Sequence, residues 1–98
     1  LASRTNCTVL LKGSTTLVAA PEGALLAVDH GDERLATAGS GDVLSGVVGA
    51  LMACGAPALH AAAGGAWIHA EVGRQWPAPG LLAGDLVDAL PGVLTELV

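Results

Sequence analysis

Residues 38–53 consist of a glycine-rich turn, Ala38-Gly39-Ser40-Gly41-Asp42, and then the apolar run VLSGVVGALMA. Large apolar side chains recur in this run at the spacing of an α-helix, at positions 43, 44, 47, 48 and 51. Gly55 stands where a C-terminal helix cap is expected, and Pro57 follows it. The pattern therefore predicts a turn that opens directly into a helix, and the helix ends near Gly55.

The turn before this helix combines three properties of an anion-binding site. Glycines allow the backbone to approach a ligand closely, and the first helical turn presents N–H groups at the positive end of the helix dipole. Backbone N–H groups around Gly39, Ser40 and Gly41 would form an anion hole suited to a phosphate. The Asp42 carboxylate at its mouth can accept a proton from a hydroxyl that attacks phosphorus, which makes Asp42 the candidate catalytic base.

A purely structural interpretation of this turn stays open, because Asp is a favoured N-cap and Gly-Ser-Gly is ordinary turn chemistry before a helix. The familiar glycine motifs do not decide between the two interpretations. Lys12 precedes Gly13, so the chain has no P-loop there. Leu44 occupies the third glycine position of a dinucleotide-binding motif, and Ala38 and Asp42 occupy the two glycine positions of a nucleophile elbow.

The N-terminal third contains three short apolar runs with β character, at Thr8–Leu11, Thr16–Ala19 and Ala24–Val28. Turn residues, including Pro21-Glu22-Gly23, separate these runs. Connections this short favour pairing as a hairpin or meander. We expect the opening residues LASRTNC to lead into the first strand.

The C-terminal half predicts two further helical segments. The first runs from about Ala58 to Arg74 and is followed by a loop at Pro77–Gly80. The second has apolar residues at positions 86, 90, 93 or 94, and 97. Pro91 interrupts this second pattern, so we expect a kink or two short helices.

No residue from Val43 to Ala70 is charged, which raises the alternative of a membrane span. The first helix of this stretch has roughly 13 residues, or about 20 Å, which is too short for a ~30 Å hydrocarbon core. The segment Gly55–Pro57 then breaks it, and the second half contains His60 and His69. We therefore expect two helices buried inside a larger enzyme, and no membrane partner.

The composition of the 98-residue chain excludes several classes of protein. A content of 52% hydrophobic and 13% charged residues is not that of a disordered chain. Four basic against nine acidic residues, with a net charge of −5, argue against a nucleic-acid partner, and the two aromatic residues are too few for base stacking. The length suits at most one domain, and because the chain begins at Leu1 we expect it to be part of a longer protein.

Structural roles are predicted for most other polar and aromatic residues. Cys7 and Cys54 fit no metal or redox spacing and are expected to be reduced core thiols, with a disulfide between them as the alternative. His60 and His69 are expected on a helix surface or hydrogen-bonded in the interior. The two tryptophans are expected to be core or interface anchors.

The longer string Leu35–Gly46, with the sequence LATAGSGDVLSG, resembles the signature of the ADP/ATP-dependent NAD(P)H-hydrate dehydratases of the ribokinase-like superfamily. The block Val9–Thr16 (VLLKGSTT) agrees with the same family, and residues 61–91 agree more weakly. Their order and spacing are similar to the C-terminal portion of that family. The resemblance implies an α/β fold, the C-terminal part of a ribokinase-like three-layer architecture, with a short β-hairpin or meander followed by buried helices. Residues 1–98 would form a C-terminal fragment of one such domain.

The resemblance also implies an activity and a set of site residues. The family repairs hydrated NADH or NADPH: ADP or ATP supplies a phosphoryl group to the ring hydroxyl, and phosphate then leaves. Asp42 would be catalytic and bind the hydrated dinucleotide, and Gly39, Ser40 and Gly41 would form the anion hole. Nucleotide binding is implied for Lys12, Gly13, Ser14, Thr15, Thr16 and Gly41. The resemblance further implies Mg²⁺, for which the sequence assigns no ligand, and a homo-oligomer. The expected reduced thiols favour a cytoplasmic location.

Two alternatives to the dehydratase stay open. One is a small-molecule kinase of the same superfamily, and the other is a non-catalytic fragment that only binds nucleotide. The full string at Leu35–Gly46 favours the dehydratase. The chain departs from the family at Asp29–Arg34, where members usually carry a turn rich in Asn, Thr, Gly and Pro.

Overall fold

The computed structural model describes residues 1–30, 38–76 and 80–97. Its elements follow the order helix, three strands and three longer helices. Their bounds are α1 (Ala2–Thr5), β1 (Val9–Leu11), β2 (Thr16–Ala19), β3 (Leu25–Val28), α2 (Ser40–Ala53), α3 (Ala58–Gln75) and α4 (Ala83–Leu97). The predicted loop at Pro77–Gly80 and the family departure at Asp29–Arg34 lie largely outside the described residues.

The first residues form a short helix, so the prediction that they lead straight into a strand is wrong. Helix α1 ends at Asn6, which has the left-handed conformation (φ 55°, ψ 38°) and donates its backbone N–H to the Ala2 carbonyl oxygen. Asn tolerates this conformation better than most residues. The Thr5 hydroxyl also donates to the Leu1 carbonyl oxygen at 2.8 Å, so local hydrogen bonds complete the turn.

The three strands form an antiparallel meander in the order β1-β2-β3, as the short connections predicted. Val9 pairs with Ala19 in the first ladder, and Ala19 pairs with Leu25 in the second. The β2–β3 turn is closed by hydrogen bonds from Gly23 N–H to Ala20 and from Ala20 N–H to Ala24. Gly23 has φ 107°, a conformation that an L side chain would strain.

Helix α3 is the buried centre of the described chain and packs against β2, β3, α2 and α4. Nine of its residues are buried. A Cβ atom at Gly65 would lie 2.8 Å from Cγ2 of Val48, so the missing side chain permits close contact between α3 and α2. Helix α2 ends as predicted near Gly55, which has φ 101° and donates its N–H to the Met52 carbonyl oxygen.

Both uncharged helices were expected to be buried inside a larger enzyme. Helix α3 is already buried within this chain, whereas α2 is mostly exposed in it. Within this chain α2 buries only Ser40 and Leu44. If its glycines at positions 46 and 49 carried a Cβ, that atom would meet none of the described atoms within 4 Å, so no described residue packs closely on that face. The uncharged sequence of α2 is therefore not explained by packing within the described residues.

Helix α4 continues through Pro91 as a single helix, so the alternative of two short helices is wrong. Leu86 and Val93, on either side of the proline, are both buried in the core shared with α3. Proline removes one helical hydrogen bond, and burial of apolar side chains on both sides offsets that loss. The Asp85 carboxylate accepts the Leu82 N–H at 2.9 Å, just before the start of the helix.

The two cysteines are free, which confirms the reduced thiols and not the disulfide. Both are exposed, however, so their predicted place in the core is wrong. Cys7 follows the left-handed Asn6, and Cys54 forms the C-cap of α2, so both lie where elements end at the surface. None of the described helices is long and apolar enough to span a membrane.

Candidate functional site

The glycine-rich turn forms the beginning of α2, as predicted. Gly39 is the N-cap residue and has φ 87°, a conformation in which an L side chain is strained. A Cβ atom there would also lie 3.2 Å from Cβ of Ala83 on α4. The local sequence thus places glycine where both the backbone angle and the neighbouring helix require it.

The first turn of α2 uses some of its backbone donors internally. The N–H groups of Asp42 and Val43 both donate to the Gly39 carbonyl oxygen, at 3.1 and 3.3 Å. Among the described residues no hydrogen bond is donated by the Gly41 N–H. A Cβ at Gly41 would meet no atom of the described residues within 4 Å, so these residues leave room for a ligand beside this peptide. The geometry favours Gly41 over Asp42 as a donor to an anion.

Asp42 is the third residue of α2 and not its N-cap, which argues against the purely structural interpretation of the carboxylate. The side chain is exposed, and within residues 1–30, 38–76 and 80–97 it takes part in no hydrogen bond or ion pair. The carboxylate therefore has no structural partner in this part of the chain, and it is accessible to an incoming group.

Asp42 stands at one end of a groove of about 530 Å³ between α2 and α4. Apart from Asp42, all of its lining residues are glycine or hydrophobic: Val43, Gly46, Val47, Ala50, Leu51, Ile68, Val87, Leu90 and Leu94. A single carboxylate at the end of an apolar groove is the arrangement of a binding site with one oriented polar group.

The block Lys12–Thr16 follows β1, as predicted, and comprises the turn between β1 and β2 and the first residue of β2. Lys12 is exposed and Thr16 is buried at the start of β2. The Thr15 hydroxyl donates to Oδ1 of Asp29 at 3.0 Å, which ties this turn to the end of β3. Lys12 thus extends from a restrained turn.

A small cavity joins this turn to the helices. Its volume is about 20 Å³. It is lined by residues of the β1–β2 turn, the first residue of β2 and residues of β3, α2 and α3: Lys12, Gly13, Ser14, Thr16, Val28, Leu44, Ala66, His69 and Ala70. A space of this size holds no more than about one water molecule, so a nucleotide could meet only its rim. Asp42 lines the groove and not this cavity, so the two predicted clusters face different spaces.

His69 connects the two clusters. It is 3% exposed, and its Nε2 atom lies 2.9 Å from the Ser40 carbonyl oxygen at the beginning of α2. Burial lowers the pKa of His69 below its usual 6.5; the bond to Ser40 opposes this shift, and the charge of Lys12 adds to it. The expected interior, hydrogen-bonded histidine is confirmed. The sequence contained no signal for its partner, because the two residues are 29 positions apart.

A second side-chain cluster joins the end of β3 to α3. The His30 ring stacks on Trp67 with centroids 4.7 Å apart and an angle of 7° between the planes. Nη1 of Arg74 lies 3.0 Å from Nδ1 of His30. Because a guanidinium can only donate a hydrogen bond, Nδ1 is the acceptor. His30 Nε2 therefore carries the hydrogen and donates to Glu71 Oε2 at 2.6 Å. We call these four residues the His30 clasp.

The His30 clasp predicts a loss of stability in acid. The hydrogen bond from His30 lowers the pKa of Glu71 below its usual 4.5. A lowered carboxyl pKa contributes stability that is complete above about pH 4.5 and is lost as the pH falls through the folded-state pKa. We expect Glu71→Gln to remove this pH-dependent part, about 1 kcal/mol or less for a partly exposed pair.

The measurement is the free energy of unfolding by urea, from neutral pH to below pH 4, for the wild type and Glu71→Gln. Glu22→Gln is the matched control, because Glu22 is exposed in the β2–β3 turn. Its curve should run parallel to that of the wild type. Parallel curves for the wild type and Glu71→Gln would show that the clasp does not contribute to acid sensitivity.

Comparisons with known proteins identify the family. A family model described as NAD(P)H-hydrate dehydratase matches residues 1–92. The chain belongs to the NAD(P)H-hydrate dehydratase family. The string at Leu35–Gly46 and the block at Val9–Thr16 both lie within the matched range, so the resemblance drawn from them is confirmed.

Curated members of the dehydratase family are similar over most of this chain. An ADP-dependent (S)-NAD(P)H-hydrate dehydratase of Neisseria meningitidis serogroup B is 48% identical over 87 residues, which cover 84% of this chain and 29% of the relative. The enzyme of the same name from Xanthomonas campestris pv. campestris is 37% identical, covering 98% of this chain and 35% of the relative. The chain thus spans about a third of the length of these dehydratases.

A solved dehydratase has the same fold over this length. The ADP/ATP-dependent NAD(P)H-hydrate dehydratase of Bacillus subtilis, co-crystallised with ATP and Mg²⁺, matches with a TM-score of 0.91 and 30% sequence identity. The match covers 99% of this chain and 36% of the solved one. The expected α/β class, with a β-meander followed by helices, is therefore confirmed.

Proposed function

We propose that this chain supplies the C-terminal, nucleotide-handling portion of an ADP- or ATP-dependent NAD(P)H-hydrate dehydratase domain. The observation that carries the proposal is the position of Asp42 at the end of an apolar groove, beside a glycine-rich helix N-terminus. Its carboxylate is exposed and has no hydrogen bond or ion pair with the residues that the structure describes. Family membership supports the reaction class. The B. subtilis enzyme with ATP and Mg²⁺ supports the nucleotide and the metal.

The proposed reaction has two steps. In the first, Asp42 accepts the proton of the ring hydroxyl as its oxygen attacks the terminal phosphorus, and the bond from phosphorus to the departing nucleotide breaks. Backbone N–H groups of Gly39, Ser40 and Gly41 stabilise the charge on the transferring group. In the second step the carbon–oxygen bond breaks, phosphate leaves with the electron pair, and loss of a proton from the adjacent carbon restores the double bond.

The described residues fit a nucleotide better than they fit a resident metal. Lys12 and the N-terminus of α2 offer a positive charge and N–H donors to phosphate oxygens. In the part of the chain that the structure describes, no three His, Cys, Asp or Glu side chains form a metal-binding group. Mg²⁺ usually binds through nucleotide phosphates with one or two carboxylates, where it neutralises charge on the transferring group, and we assign it no ligand here.

The test is a coupled assay on the full-length gene product with hydrated NADH and ADP or ATP, following the return of the dihydronicotinamide absorbance. Consumption of nucleotide with simple alcohols, and none with hydrated NADH, would favour the kinase alternative. For the non-catalytic alternative, the decisive result is ADP or ATP binding by calorimetry without turnover of either substrate.

Lys12 provides a separate prediction about nucleotide affinity. We expect Lys12→Met to raise the KM for ADP or ATP about 10-fold or more, with a smaller change in kcat, because a hydrogen bond to a charged phosphate contributes about 1.5–3 kcal/mol. Lys12→Arg should retain most of the affinity, since it keeps the charge. Arg4→Met on α1 removes a cation outside the site and serves as the control. An unchanged KM in Lys12→Met would remove Lys12 from the nucleotide site.

We also propose a homo-oligomer and a cytoplasmic location for the full-length gene product. Exposed apolar side chains outside the groove, including Leu11 on β1 and Leu25 on β3, are compatible with further packing beyond this chain. Sedimentation equilibrium of the purified full-length product tests the assembly state. Cell fractionation with an antibody to the chain tests the location.

A further inference from the structure

The carbonyl group of Ser40 and the N–H group of Gly41 belong to one peptide unit, at the centre of the glycine-rich turn. Because the peptide is planar and trans, the direction of its oxygen determines the direction of its N–H. Glycine precedes and follows Ser40, at positions 39 and 41, and glycine allows many backbone angles. Ser40 is the first residue of α2, where the N–H groups have no acceptor within the helix, so a contact from another element can further restrain the direction of this N–H.

His69 supplies a contact of this kind from a different element. Its ring lies on α3, and Nε2 is 2.9 Å from the Ser40 oxygen, with both residues buried. A carbonyl oxygen can only accept, so Nε2 carries the hydrogen and donates it. Because the C=O and N–H bonds of a trans peptide point in opposite directions, the Gly41 N–H points away from His69. No described group accepts a hydrogen bond from it.

We propose that His69 is a positioning residue for the phosphate-binding turn: by holding the Ser40 oxygen, it keeps the Gly41 N–H directed at the site of the transferring phosphoryl group. The identity of that ligand rests on the proposed function, whereas the restraint on the peptide does not. His69 does not line the groove that contains Asp42, so it acts through the backbone and not on the substrate.

The inference predicts different effects on kcat for two substitutions of His69 by side chains of similar size. His69→Leu removes the donor and leaves the buried Ser40 oxygen without it, and His69→Gln can place an amide N–H near the position of Nε2. We expect His69→Leu to lower kcat about 10- to 100-fold with a smaller change in nucleotide KM, because a small displacement of a transition-state donor is costly. His69→Gln should recover most of the lost kcat.

Val72→Ala is the control for general destabilisation. Val72 lies on the same helix, is 1% exposed and belongs to the core formed with α4. Its truncation should lower the thermal unfolding temperature and leave kcat within about twofold of the wild type. If Val72→Ala loses as much kcat as His69→Leu at equal stability, the effect belongs to packing, and the positioning role is wrong.

A measurement without turnover keeps the inference independent of the proposed reaction. The ¹⁵N order parameter of the Gly41 amide in the full-length gene product should be near the rigid value of about 0.85 in the wild type and in His69→Gln, and should fall toward about 0.6 in His69→Leu. A wild-type order parameter at Gly41 in His69→Leu would overturn the inference. If the order parameter of Gly41 falls in His69→Leu but the wild-type protein does not repair hydrated NADH, the restraint is supported and only the proposed function is rejected.

Discussion

Asp42→Asn is expected to slow repair of hydrated NADH by the full-length gene product about 10²–10⁴-fold, the contribution typical of a positioned general base. The amide is nearly the same size as the carboxylate but cannot accept the hydroxyl proton. Stability should change little, because the Asp42 side chain is exposed and takes part in no hydrogen bond within the described residues. The loss should therefore appear in kcat with the protein fully folded.

Asp88→Asn is the matched control for this experiment. Asp88 is also an exposed aspartate on a helix, α4, and it does not line the groove. The substitution removes the same charge and should leave turnover within about twofold of the wild type. Near-normal repair by Asp42→Asn would refute the role of Asp42 as the base, and an equal loss in both variants would point to net charge instead.

Gly39→Ala is expected to reduce both stability and turnover. The N-cap angle of φ 87° strains any L side chain, at about 1–2 kcal/mol, and the new Cβ would lie 3.2 Å from Ala83. Relief of that strain would shift the turn proposed to form the anion hole. We expect kcat/KM for hydrated NADH to fall about 10- to 100-fold, the scale of a misplaced catalytic group.

Gly23→Ala separates backbone strain from damage to the site. Gly23 has φ 107° and open space around its Cβ position, in the β2–β3 turn away from α2. This variant should lose a similar free energy of unfolding and keep its turnover. Chemical denaturation and steady-state kinetics of both variants provide the comparison. Equal activity in Gly39→Ala and Gly23→Ala would mean that the turn tolerates displacement and does not bind the reacting phosphate.

Local sequence patterns predicted most of the helices and strands, because interactions between neighbouring residues largely determine these elements. The helical spacing of apolar residues predicted α2 and α3, and Gly55 predicted the end of α2. Short apolar runs with turn residues between them predicted the meander. The errors occur where short-range hydrogen bonds or distant packing act against the pattern. Asn6 closes an unexpected helix, and buried contacts on both sides of Pro91 keep α4 as one helix.

The candidate site was predicted as a set of residues and not as an arrangement. The sequence placed Gly39–Asp42 at a helix N-terminus and Lys12–Thr16 at the end of a strand, and both positions are confirmed. It did not indicate that the two clusters line different spaces, because that depends on how α2, α3 and the sheet pack. The burial of α2 inside a larger enzyme stays a prediction, because an apolar helix sequence does not specify what covers it and α2 is mostly exposed within this chain.

By itself the sequence determined the elements near the site, since turn geometry and helix periodicity are properties of neighbouring residues. Its motifs at Leu35–Gly46 and Val9–Thr16 indicated the family, and the chemistry assigned to Asp42 stays a prediction. Only the tertiary structure decided that Asp42 opens onto an apolar groove and that His69 holds the Ser40 carbonyl oxygen. The physical reason is the separation of the interacting residues along the chain. A hydrogen bond between residues 29 positions apart exists only after α3 packs against α2, and no local preference of either residue specifies its partner.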